Sequence, residues 1–508
     1  MRTIQKRLTW TMLLALFVAC GSVFGQEQAQ LLSFDQAMQM MLKQNPALLR
    51  QKEEIRQKEF EMKSKKGLHL PSVSISAQAV AMSDPLHLDL TPVSEAITPL
   101  YETLGTYGVF SGVANPDPAT SSLMPTLTDE LSTQAVRSQL LDAAEEIEMA
   151  NWDETIQEEN FALVSASFLW PIFTGGKIDG ANKAADAEFK ISKEELRHTE
   201  GLLLTELVTR YYGLVLGLQV VDLRTEMLVS MENHYSDAQK LFENGMIARV
   251  ELLHSEVARN EAERELKKAK RNVEILRTGL NATLAGDSLP VVIPASNLFI
   301  NPDVAELKAW IDNAKDLNPQ LNQIQQKKEL VDIKHTIEKN EYLPTIAAMG
   351  NYNLVDKDFS PYMPDWMVGV GMRWTLFNGM ARKNNLRASE TRHNQVAYAE
   401  EKANDDLEAY LVKLFHELQM QIEQKDELET TLELAVEYRS SAEKAFNEGF
   451  ATSTTVVEAN TKVMAVKTQR LNVLYQYDVA LAYFMQTAGV PEQFIAFSKG
   501  ECVITETL

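Results

Sequence analysis

Glu251 and His254 form an ExxH pair on a segment that reads as helical, a spacing that places both side chains on one face. On facing helices that pairing can hold iron, but a di-iron bundle needs a second ExxH and two further glutamates. The spacing also occurs at Glu195–His198 and Glu390–His393, but no pattern in the sequence pairs one with another and with two further glutamates. No GxSxG, HExxH or GxGxxG element occurs either. The "FTGGK" run at 173–177 has the glycines of a phosphate loop without the lysine pattern that should follow. The twenty methionines are scattered, and no histidine cluster marks a metal specialist. The chain carries no catalytic constellation, so no enzyme activity, cofactor or metal is expected.

The N-terminus reads as a secretory signal. Arg2, Lys6 and Arg7 precede an apolar run, Leu8 to Ala19, that is short for a membrane span. Two cleavage sites compete. "SVFG|QEQ" suits cleavage after Gly25, giving a signal over 1–25 and a leader over 26–32. "FVAC|GS" resembles a lipobox that would leave Cys20 lipidated, although Phe17 departs from the usual leucine. Losing the three N-terminal cations takes the net charge from −22 to −25. So acidic a chain excludes nucleic acid and anionic headgroups as natural partners. Cys502 is the only other cysteine, which rules out a disulfide framework once the signal is gone. No later stretch is long and apolar enough for a transmembrane helix. An exported chain of this kind is either soluble or inserted through β-strands.

The elements that decide between these come in two copies. Asn45-Pro46 recurs as Asn318-Pro319, and Leu70-Pro71 as Leu343-Pro344, both at an offset of 273. Trp170, Phe173, Gly175 and Gly245 recur as Trp374, Phe377, Gly379 and Gly449, all at 204. The drop of 69 places one insertion in the first copy, between its two strand-like segments. Copy one is expected over 33–286 and copy two over 319–490, with a linker at 287–318 and a tail at 491–508.

Each copy opens on a helix, with Ser33 as a candidate N-cap and Pro46 in a first turn. Two segments of period two follow. Strands are expected over 72–82 and 161–172, and over 345–355 and 366–376. In the second, every even position from Ala162 to Ile172 is apolar; in the fourth, Trp366, Val368, Val370, Met372, Trp374 and Leu376 share one face. Ten to twelve alternating residues suit a membrane barrel, and also a half-buried strand of a soluble sheet. Four such strands with tryptophans near their ends in an exported chain favour the membrane. Four strands cannot close a barrel, and an open edge in lipid leaves backbone groups unpaired. The barrel must then be shared: eight strands from two chains or twelve from three.

Gly175, Gly176 and Gly379 end the second strands and allow a sharp reversal into a helix. Long helices follow, over 177–286 and 379–489, each folded back once. In the first, Leu203, Leu207, Tyr211, Leu214, Leu218, Val221, Leu228, Met231, Tyr235, Ala238 and Phe242 recur mostly at three and four residues, as in a coiled coil. Gly245 and Gly449 sit where the helices reverse, and Gly286 and Gly489 are candidate stops. The insert, 83–160, is rich in Pro, Ser and Thr early, as in disordered insertions, and turns acidic and helical near 130–150. The fold class is mainly α with membrane β.

These residues resemble the TolC family of outer-membrane efflux proteins over about 33–490. The carriers are "LSFDQAMQMMLKQNPAL" (32–48), "LPSVSISAQ" (70–78), "WPIFTGGK" (170–177), "FENGMIARVELL" (242–253) and "FNEGFATSTTVVEA" (446–459). The resemblance implies a homotrimer with a twelve-stranded barrel in outer-membrane lipid and a coiled-coil tunnel in the periplasm. It implies the exit duct of a tripartite efflux pump or a type I secretion system, reached through a periplasmic adaptor and, indirectly, an inner-membrane pump or secretion ATPase. The family's adaptor-contact role falls on Gly245, Met246, Ile247 and Ala248 and on Gly449, Phe450, Ala451 and Thr452. Its acidic entrance positions fall on Thr455 and Glu458, with Glu251 the counterpart in copy one; Thr455 breaks the acidic pattern. The competing reading is a soluble periplasmic coiled-coil adaptor or scaffold, which accounts for the helices and not for four matched strands.

Overall fold

The structure is a computed structural model that describes residues 30–284, 292–304, 306–500 and 503–505. Cys20, Gly286 and Cys502 lie outside the described residues. The first copy runs β1 (Gln30–Leu32), α1 (Phe34–Gln44), α2 (Pro46–Lys66), β2 (Ser72–Ala81), β3 (Leu86–Asp89), α3 (Thr91–Tyr107), α4 (Asp129–Met149), β4 (Asp153–Gln157), β5 (Asn160–Phe173), α5 (Lys177–Glu243) and α6 (Arg249–Leu284). Two short strands, β6 (Val292–Pro294) and β7 (Phe299–Ile300), lead into the second copy. It runs α7 (Leu307–Leu317), α8 (Pro319–Asn340), β8 (Thr345–Lys357), β9 (Trp366–Arg373), α9 (Ala381–Asn447), α10 (Ser453–Thr487), α11 (Gln493–Ser498) and β10 (Ile504–Thr505). The chain forms two compact units, one of Gly67–Ile178 with Asn340–Gly379, the other of the remaining described residues.

The first unit is built on a four-stranded antiparallel sheet in the order β2-β5-β8-β9. Its register places Val73 opposite Phe168, Ala348 opposite Trp170 and Val370, and Gly350 opposite Phe168 and Val368. The apolar positions therefore line up on one face, where Val73, Ile75, Val368, Val370 and Met372 are each at least 65% exposed. So much exposed apolar surface is tolerable only against lipid or another chain. On the other face Ser76 and Ser165 share a hydrogen bond of 3.0 Å, and the Ser167 hydroxyl donates to Asn351 Oδ1 at 2.9 Å. Gly350 has to be glycine, because a Cβ there would come within 2.1 Å of the Phe168 ring. A register shift at Val164/Ser165 sets Val355 opposite Val164, so the apolar row leaves Leu354 and continues through its neighbour. Trp170 and Trp374 donate indole N–H bonds to the carbonyls of His69 and Tyr342, at 3.2 and 3.0 Å. The same anchor is used in both copies.

The insert departs from expectation in its first half. A helix forms at Thr91–Tyr107 despite Pro92 and Pro99. Pro92 sits in the first turn, where its missing N–H costs nothing. Asp89 Oδ1 accepts from Thr91 N at 2.9 Å, and Gly105 lets Leu141 of α4 approach to van der Waals contact. The acidic second half is helical, as α4. The loop from β8 to β9 is held to β4: Gln157 accepts from Ser360 N at 2.9 Å and donates to Asp358 O at 2.9 Å.

The second unit is a set of helical hairpins around an aromatic core. Phe34, Tyr211, Tyr212, Phe299, Tyr477 and Phe494 are all at most 3% exposed. Ser33 caps α1 in a capping box with Gln36. The repeated Asn-Pro does more than start a helix. Asn45 accepts from Ala47 N and donates to Thr283 O at 3.0 Å; Asn318 accepts from Gln320 N and donates to Thr487 O at 2.8 Å. Each asparagine thus caps one helix and ties it to the last turn of the returning one, and both are buried. At 67 residues each, α5 and α9 are about 100 Å long. The buried face of α5 drifts near its end: Leu223, Met231, His234 and Ala238 are buried, while Phe242 is exposed. Gly489, at φ +81°, stops α10 as expected. Among the described residues no helix is long and apolar enough to cross a membrane.

Candidate functional site: the two hairpin tips

Both tips use one backbone solution. At the first, Gly245 (φ +69°) donates to Phe242 O at 2.9 Å and Met246 N to Leu241 O at 2.8 Å. At the second, Gly449 (φ +82°) donates to Phe446 O at 3.0 Å and Phe450 N to Ala445 O at 2.8 Å. These bonds satisfy the last carbonyls of each long helix, with glycine at the left-handed position. The residue after each glycine projects outward: Met246 is 59% exposed and Phe450 84%. Ile247 and Ala451 turn inward onto a small core of Ala238, Phe446 and Val456. Ala248 is exposed at the start of the returning helix.

The helix starts that follow are unlike. The Thr452 side chain accepts from Thr455 N and caps α10, and the Thr455 hydroxyl hydrogen-bonds to it at 3.1 Å. Glu251 reaches across from α6, and its Oε2 accepts from Ser453 N at 2.7 Å. A carboxylate at a helix N-terminus meets both orphan N–H groups and the positive end of the dipole. Two of the three positions assigned to an entrance thus serve this cap, and Glu458 stays exposed. Ser453 itself is fully buried. Its hydroxyl is 2.8 Å from His234 Nε2 and 3.2 Å from His254 Nδ1. His234 is buried and meets the Phe446 ring edge-on at 4.7 Å. Burial holds its pKa down at about 4, against the opposing pull of Asp237 and Glu251. A cleft of about 350 Å³ opens beside it, lined by Glu226, Asp237, Arg439 and Glu443 among others.

The expected ExxH pair is therefore real as a pair of neighbours, and both side chains are spent on Ser453. Among the described residues no grouping of His, Cys, Asp or Glu could hold a metal ion. His234 carried no sequence signal, and Ser453, although it lies in the quoted run at 446–459, carried none that set it apart from its neighbours. The strand-to-helix turns hold a further surprise. Gly175 and Gly176 both have positive φ, +61° and +77°; in copy two Gly379 has +66°, and its neighbour, at +69°, is Met380. Met380 occupies the left-handed conformation that copy one gives to Gly176, at a cost of about 1 kcal/mol.

A sheet with one largely apolar exposed face, joined in sequence to two long helical hairpins per chain, fits an outer-membrane channel with a helical tunnel in the periplasm. The chain matches the family described as Outer membrane efflux protein over residues 111–286 and 310–490, and it belongs to that family. It is the outer-membrane exit duct of an efflux pump, a passive channel and not an enzyme. Channels of this family are trimeric components of tripartite efflux pumps. The fold is similar to that of a membrane protein from Pseudomonas aeruginosa, at 13% identity, a TM-score of 0.68 and 90% of each chain covered. It is also similar to the CmeC outer membrane channel of Campylobacter jejuni, at 12% identity and a TM-score of 0.66, with 92% of this chain and 89% of that one covered. The open state of the MtrE outer membrane channel of Neisseria gonorrhoeae is 11% identical, with a TM-score of 0.63, 90% of this chain and 89% of that one covered. No curated protein matches the sequence. The soluble-scaffold reading falls with the family assignment.

Proposed function

We propose that the two hairpin tips are the docking surface for a periplasmic adaptor, and that three four-stranded sheets close one twelve-stranded barrel in outer-membrane lipid. The barrel reading rests on the two unpaired edges, β2 and β9, which have no partner within the described sheet. The docking reading rests on one observation: Met246 and Phe450 project from matched turns with 59% and 84% of their surfaces exposed. Large apolar side chains held out on rigid glycine turns are suited to fill pockets in a partner. Glu458, exposed one turn past the second tip's cap, is the remaining candidate for a carboxylate ring at the tunnel entrance. Inner-membrane pumping reaches the duct through the adaptor.

Photocrosslinking groups placed at Met246 and Phe450 in cells should capture one periplasmic protein. Met246→Asp and Phe450→Asp should abolish efflux while the trimer still reaches the outer membrane. Normal efflux in the double variant would remove the docking reading. In planar bilayers, Glu458→Ala trimers should lose cation preference; unchanged selectivity removes the entrance role.

A further inference from the structure

We propose that Ser453, His234 and His254 form an acid-sensitive latch that holds the start of α10 against α5 and α6, and that it releases when the histidine pair takes up its second proton. The argument begins with hydrogen-bond capacity. A serine hydroxyl has one proton to donate and lone pairs that accept. With both rings neutral, it donates to one ring nitrogen and accepts from the N–H of the other. With one ring charged the arrangement survives: the imidazolium donates to Oγ, and Oγ donates to the neutral ring. With both charged, each ring nitrogen is a donor aimed at the same oxygen. The serine proton then has no acceptor within the trio, and two cations face each other across one hydroxyl.

The surroundings fix which ring resists. Asp237 faces His234 from its own helix, and Glu251 and His254 face it from α6. From α9 come Arg439 and Glu443 along the cleft wall and the edge of Phe446. From α10 the neighbours are Ser453 and, along the same cleft, Val456. Asp237 and Glu251 favour a charged ring, His254 opposes it, and burial outweighs them all, holding His234 at about 4. The sign follows. An exposed histidine titrates near 6.5. The ring is neutral when folded, so the latch's contribution is complete above about pH 6.5 and is lost as pH falls toward about 4. Glu251 is bonded to the backbone N–H of the same Ser453, so the cap and the latch share one residue. Release therefore frees the segment that displays Phe450. The latch is internal to each chain and does not depend on adaptor docking.

The test is hydrogen exchange on the full-length trimer in nanodiscs from pH 7.5 to 5.0, each amide corrected for its intrinsic rate. Amides at 450–460 should lose at least tenfold in protection, while those at 203–218 change less than twofold. His234→Gln keeps a neutral group within reach of Ser453 and should cut the loss at 450–460 below twofold. His254→Gln, the second variant should the first not assemble, lets Ser453 donate to the amide oxygen and removes one cation while His234 stays buried, so it should reduce the loss, by less than His234→Gln does. A flat wild-type profile, an equal loss at 203–218, or an undiminished loss in an assembled variant overturns the latch.

Discussion

At the first tip Gly245 turns the chain and Phe242 is left 36% exposed; at the second Gly449 turns it and Phe446 is 1% exposed. The backbones are nearly the same, and the side chains have parted ways. At the offset of 204, buried His234 corresponds to Tyr438, which is 46% exposed, and buried Ser453 corresponds to Arg249. Glu251 corresponds to Thr455 and His254 to Glu458. Copy one has no side-chain cap of its own at Ala248, yet its Glu251 caps the helix of copy two. The contrast extends along the returning helices. Asp478 is fully buried, and burial pushes its carboxyl well above the usual range, with the Phe299 backbone only partly opposing; its counterpart Glu274 is 61% exposed. A duplicated hairpin thus divides the work: one copy gives α10 to the interior, and the other gives α6 and its polar groups to hold it.

The sharpest way to break this comparison is to remove the paired phenylalanines. Phe446→Ala should lower the opening free energy of amides at 448–456 by about 3–4 kcal/mol, because it empties a buried site. Phe242→Ala should cost less than about 1 kcal/mol at 244–252. Equal losses by hydrogen exchange would mean that the tips are equivalent after all. The cap comes next. Glu251→Ala should weaken the start of α10 by about 1–2 kcal/mol, and Thr455→Ala by less than about 0.5. A loss confined to α6 in the Glu251 variant would refute the crossed cap. The glycines give the smallest contrast. Gly245→Ala and Gly449→Ala should each cost about 1 kcal/mol, since both have positive φ and open space around them. A difference above about 0.5 kcal/mol between them would move the asymmetry from side chains to backbone.

Much of the fold was legible because it is local and periodic. The strand expected over 161–172 runs Asn160–Phe173, and the one over 345–355 runs Thr345–Lys357. The long helix expected from Lys177 ends at Glu243, one residue before the Asn-Gly turn. Misses came where local composition lost to packing. The proline-rich half of the insert forms α3 because Pro92 falls in its first turn and α4 packs against it, although Pro99 lies inside the helix. The tail supplies Phe494 to the aromatic core, which no local pattern announces. At the candidate site the glycines, Met246 and Phe450 were visible by position, whereas His234 and the contacts of Ser453 were not.

The sequence by itself determined the duplication, the alternation of the four strands, the heptad helices and the glycine turns, because each depends on residues a few positions apart or on a fixed offset. Only the tertiary structure decided which of two similar hairpins faces inward, and so which histidine is buried, which serine it meets and whose helix Glu251 caps. Those contacts join residues about 200 positions apart, and their chemistry depends on burial, a property that no single residue carries along the chain.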